Sequence, residues 1–123
     1  MHTTATFASL WMIAAFIQMA QAPGPTGFTH SDQIAAYASA SVGVAQAEKI
    51  CPGYRRNSAN MVALRAWMEI KDSDKLELSR QSAAAERKMT AQIKTGGAAN
   101  WCSSIVGLFG PQGTLARGLI DVD

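Results

Sequence analysis

The sequence predicts an all-α protein: a small domain of four to five helices, stapled by one disulfide and preceded by an N-terminal signal peptide. Three observations predict it. An uncharged apolar run opens the chain, apolar side chains then recur at three- and four-residue spacing, and only two cysteines are present among 123 residues. Strict alternation of β-branched or aromatic residues is absent, so the sequence offers little from which to form a sheet.

The apolar run extends from Phe7 to Ile17, the length of a secretory signal core and too short to span a bilayer comfortably. Ala20-Gln21-Ala22 places small residues at the alternate positions that a signal peptidase accepts. Two details depart from the pattern. Met1 to Thr6 carries no Lys or Arg, and Pro23 directly after Ala22 fits a protease's extended site badly. Cleavage after Ala20 is the alternative to cleavage after Ala22; an uncut N-terminal anchor bearing Trp11, and behind it a cytosolic protein with a buried N-terminal helix, are the alternatives to both. The organisation expected is a signal peptide over 1–22, a turn-rich spacer over 23–29 containing Pro23-Gly24-Pro25, and a helical domain over 30–123.

Ser31 is a good N-cap for a first helix in which Ile34, Tyr37, Ala38, Ser41, Val44 and Ala45 share a face. Cys51-Pro52-Gly53 stops it, because proline disfavours helix in the residue before it. Asn57 or Ser58 can cap a second helix, with Met61, Leu64, Arg65 and Met68 on one face and Trp67 beside it. Lys71-Asp72-Ser73-Asp74 is a polar turn before a third helix carrying Leu78, Ser82, Ala85, Met89 and Ile93. Gly96-Gly97 ends that helix. Asn100 can cap a fourth bearing Trp101, Cys102, Ile105, Leu108 and Phe109, which Pro111 and Gly113 break, and Thr114 to Ile120 has room for one last turn. The many small residues on helix faces imply close helix approach and a thin core anchored by Trp67, Trp101, Leu64, Ile105, Leu108 and Phe109.

Removing 1–22 leaves 101 residues, enough for one domain. Export would oxidise Cys51 and Cys102 to a structural disulfide joining the end of the first helix to the start of the last, with helices two and three enclosed as a hairpin. A redox-active pair would sit closer in sequence, as in C-x-x-C. Zinc wants four ligands, and His30 is the one histidine after the signal. The 11 Lys and Arg against 9 Asp and Glu leave a net charge of +2, too mild to imply a nucleic-acid partner.

No residue pattern announces catalysis. His30 near Asp32 lacks an activated nucleophile at a recognisable turn. Glu48, Glu69, Glu77 and Glu86 are the carboxylates from which glycan hydrolysis would need a pair about 5–10 Å apart, and each falls where an ordinary polar helix face would. Met61 and Met68 have the softness that suits Cu(I), although filling a core is what methionine usually does. No cofactor or metal site is expected. Tyr54-Arg55-Arg56, on a loop after Cys51-Pro52-Gly53, is the one local basic spot and the candidate partner-binding surface.

A first helix closing on Cys51-Pro52, a charged helical hairpin, Trp101-Cys102, then Gly107, Gly110 and Gly118-Leu119-Ile120, all behind a signal, resembles a group of small exported two-cysteine helical proteins of alphaproteobacteria. That group has no established activity to carry over. The long gap between cysteines is similar to that of acid-stress periplasmic chaperones of the HdeA type. Three functions are therefore expected in order: a periplasmic or secreted, non-enzymatic binding or accessory protein meeting an envelope partner; an acid-stress periplasmic chaperone, in which protonation of Glu48, Asp72, Asp74, Glu77 and Glu86 loosens a thin core; and a membrane-tethered small subunit that keeps its N-terminal helix.

Overall fold

The computed structural model describes residues 29–123. The signal peptide, its cleavage after Ala20 or Ala22, Trp11 and the spacer up to Phe28 lie outside the described residues. Four α-helices carry the fold: α1 (His30–Ile50), α2 (Ser58–Trp67), α3 (Lys75–Gly96) and α4 (Ala98–Phe109). Two three-residue strands, β1 (Tyr54–Arg56) and β2 (Ile120–Val122), complete it.

Helix α1 is the centre of the bundle. Its cap is Thr29, one of the residues expected in the spacer, and not Ser31: the Thr29 hydroxyl accepts from the Asp32 amide while the Asp32 carboxylate accepts from the Thr29 amide. This reciprocal box satisfies two amides that a helix start leaves without partners, which a lone Ser31 hydroxyl does not. Gln33, Ile34, Ala36, Tyr37, Ala38, Ala40, Gly43, Val44 and Ala47 are all buried along α1. Such burial exceeds one helical stripe, because α3, α4 and β1 pack on different sides of it. Gly43 marks a close approach. A Cβ there would lie 3.1 Å from Ile105 Cδ1 and 3.5 Å from Met89 Cε, so the missing side chain lets α3 and α4 converge on α1.

Asn57 caps α2 by accepting from the Asn60 amide. A 3-10 turn over Asp72–Asp74 leads into α3. The expected hairpin of the second and third helices is not the arrangement found, since α3 packs chiefly along α1 and also against α4. Its stripe explains the choice: Leu78, Met89 and Ile93 reach the core, while Ser82 and Ala85 are small enough to lie close to a neighbouring helix. Gly97 then turns the chain into α4 with a φ of 89°, a left-handed value that a side chain would strain.

After α4 the segment expected as one last helical turn is instead an irregular loop tied to that helix's C-terminal carbonyls. The amides of Thr114, Leu115 and Gly118 donate to the Gly107, Leu108 and Gly110 carbonyls. The chain then pairs antiparallel with β1, Arg55 opposite Asp121. This ribbon is the one addition to the all-α expectation. Tyr-Arg-Arg and Ile-Asp-Val are too short to read as strands in isolation, and they meet because the fold brings the C-terminus to the segment after Cys51. The core runs from Ile34 and Val44 through Met68, Trp101, Ile105 and Phe109 to Leu115, Leu119 and Ile120. Met68, Ile120 and Val44 are its most enclosed side chains. Of the expected anchors, Trp67 and Leu108 sit partly buried at its edge.

Candidate binding groove

Cys51 and Cys102 form a disulfide with their Cα atoms 5.8 Å apart, joining the C-cap of α1 to the second turn of α4. In the chain-entropy model a loop of this length, 51 residues apart in sequence, contributes about 4 kcal/mol of stability. The bond fits an oxidising extracellular compartment. Among the described residues no helix is long and apolar enough to cross a membrane.

The basic spot expected for partner binding lies on β1, where its side chains have partners within the protein. The Arg55 guanidinium donates to the Asp123 carboxylate at 2.7 Å, and Arg56 lies 3.6 Å from the Glu48 carboxylate, which also accepts from the Arg56 amide. The Tyr54 hydroxyl donates to the Cys102 carbonyl at 3.3 Å, linking the ribbon to the disulfide. Both arginines remain largely in solvent, so these pairs are weak. Of the carboxylates weighed for hydrolysis, Glu48 lies with Arg56 and Glu77 accepts from the Ser31 hydroxyl. Met61 and Met68 are core side chains. Among the described residues no three His, Cys, Asp or Glu converge as metal ligands.

His30 meets Asp74 and not Asp32. One ring nitrogen lies 2.8 Å from the Gln33 side-chain oxygen and the other 2.9 Å from the Asp74 carboxylate. Two oxygen acceptors on one ring are best served by the imidazolium, which donates from both nitrogens. The Gln33 and Asp74 hydrogen bonds accordingly raise the His30 pKa, and the Lys71 amide together with His30 lowers that of Asp74. This cluster ties the start of α1 to the turn before α3 and contains no nucleophile.

Among the described residues a concave feature lies elsewhere. A groove of about 470 Å³ runs between α3 and α4 above α1, starting at the Gly96-Gly97 joint. Its walls follow from helical periodicity. Asn100, Trp101, Ser104, Ile105 and Leu108 recur along one face of α4, and Ala85, Lys88, Met89 and Gln92 along the facing side of α3. The inner rows are apolar and the outer rows polar. Trp101, Ile105 and Phe109 are buried in the core and also show a side to the groove. Lys88 is the one charged residue in the lining.

Sequence reasoning assigned Trp101, Ile105, Leu108 and Phe109 to the core and did not find the groove. The signal that points to it is the composition of α3: its inward stripe alternates Ser82 and Ala85 with longer side chains, and none of the 22 residues of that helix is fully buried. A long helix without a fully buried side chain leaves space beside it. No protein-family model, characterised protein or solved structure matches the chain.

Proposed function

We propose that this chain is an exported, non-enzymatic binding protein of the cell envelope whose working surface is the groove between α3 and α4. The observation that carries this reading is the groove itself: about 470 Å³ with an apolar floor and a polar rim, within the range of about 300–1,000 Å³ usual for small-molecule sites. The disulfide supports the compartment, since bonds of this kind persist where thiols are not kept reduced. The apolar run of residues 7–17 followed by Ala20-Gln21-Ala22 supports export by a cleaved signal. The arginines of β1 are the weaker candidate surface, because Asp123 and Glu48 already sit against them.

The test uses the protein recovered from the envelope without reductant. Its intact mass should lack residues 1–20 or 1–22, and two thiols should become alkylatable only after reduction. The neutral fluorophore phenylnaphthylamine should brighten on binding it. Ser104→Trp, which places an indole in the groove from an exposed position, should abolish that signal while leaving the circular dichroism spectrum unchanged. A folded wild-type protein that leaves the fluorophore dark would overturn the reading.

A further inference from the structure

The lining of the groove restricts what it can hold. Thirteen residues line it, whereas a stable protein partner engages about 20–30 residues a side. The groove follows α4 from Gly97 to Leu108, a distance of about 16 Å at the helical rise. It is therefore elongated and open along its rim, a shape that accommodates an unbranched chain lying lengthwise.

Charge restricts it further. No Asp or Glu lines the groove, and Lys88 stands at its rim with no ion-pair or hydrogen-bond partner among the described residues. Directly after it in sequence, Met89 turns inward to the core, and its methyl group reaches the gap above Gly43. One turn further on from Lys88, Gln92 adds amide donors to the same rim. A cation beside an apolar trough with no nearby carboxylate favours an anion that carries its own apolar tail.

We propose that the groove binds a single-chain anionic amphiphile with a carboxylate head, the head paired with Lys88 and the tail laid over Met89, Trp101, Ile105 and Phe109. This rests on the reading of the groove as the working surface and names its ligand class. Burying the tail supplies affinity in proportion to the apolar surface it removes from water. The lysine selects the sign of the head group, and its exposure makes that selection modest and salt-dependent. Three probes of equal chain length separate the contributions: decanoate, decanol and decyltrimethylammonium, each titrated below its micellar concentration against bound phenylnaphthylamine in low salt.

Decanoate should displace the fluorophore at a concentration about tenfold lower than decyltrimethylammonium, with decanol between them. Lys88→Gln should weaken decanoate about fivefold and leave decanol unchanged, and Lys88→Arg should retain the preference. Equal displacement by all three probes would overturn the anionic assignment while leaving the groove as a binding surface. Failure of the fluorophore itself to bind would overturn both. Displacement accompanied by dimer formation on size exclusion would give the groove to a second copy, and decanoate binding lost when residues 1–22 are retained would give it to the chain's own apolar run. Either of those results overturns the proposal.

Discussion

Around Cys51 several segments close on one another. The end of α1, β1, β2, α4 and the loop before β2 enclose the disulfide, Leu119 and Ile120, and the C-cap of α2, Met68, is fully buried. Along α3, 22 residues pass without one fully buried side chain. The two regions belong to one core but contribute to it differently. The first is cross-linked by a covalent bond, a ribbon and backbone hydrogen bonds from the C-terminal loop to α4. The second is held by a half-buried stripe and by the His30–Asp74 and Ser31–Glu77 contacts at one end. Local opening follows the density of buried contacts, so α3, which packs along α1 yet has no fully buried side chain, is the wall expected to adjust if the proposed ligand binds.

Reduction of Cys51–Cys102 should lower stability by about 4 kcal/mol in urea unfolding, the largest effect expected. A loss below about 1 kcal/mol would mean that the C-terminal loop and ribbon hold this end without the bond. Next in size is a matched pair of truncations. Ile120→Ala removes a side chain that is 1% exposed and should cost about 3 kcal/mol. Ile93→Ala on α3, only partly buried, should cost about 1 kcal/mol on the same measurement. Equal costs would remove the distinction between the two regions.

Gly107 is exposed within α4, and a Cβ there would meet nothing within 4 Å. Gly107→Ala should therefore raise stability by about 0.5–1 kcal/mol through helix propensity alone, seen as an upward shift in Tm. The smallest effect belongs to the His30–Asp74 pair at the start of α3. With the His30 pKa raised, its contribution is complete below the ordinary histidine value of 6.5 and is lost as pH rises through the higher folded value. With the Asp74 pKa lowered, its contribution is complete above the ordinary 3.8 and is lost as pH falls through the lower folded value. The two overlap between about pH 4 and 6.5. The Tm difference between wild type and His30→Ala should be larger at pH 5 than at pH 8.5, and a difference independent of pH would contradict the pairing.

The features legible in the sequence are those that a single segment encodes. Cys51-Pro52-Gly53 and Gly96-Gly97 end their helices as punctuation predicts, Asn57 caps α2, and the spacing of Leu78, Met89 and Ile93 gives the inward side of α3. The pairing of the only two cysteines followed by counting. Thr29 was missed because Ser31, two residues on, also has a capping hydroxyl, and only the box with Asp32 distinguishes them. The ribbon was illegible because Tyr54–Arg56 and Ile120–Val122 are strands only in each other's presence. The groove was illegible for a related reason. Periodicity tells which side of α3 or α4 turns inward, but a gap between two inward sides depends on their separation, set here by Gly43 beneath and Gly97 at the joint.

Amide hydrogen exchange of the oxidised protein, with and without decanoate, tests most directly the claim that a stapled half supports an adjustable binding wall. Slow exchange in α1 and at the β1–β2 pairs, fast exchange along α3, and added protection of residues 85–96 and 98–108 on ligand addition is the predicted result. Exchange in α3 as slow as in α1, unchanged by decanoate, would contradict it.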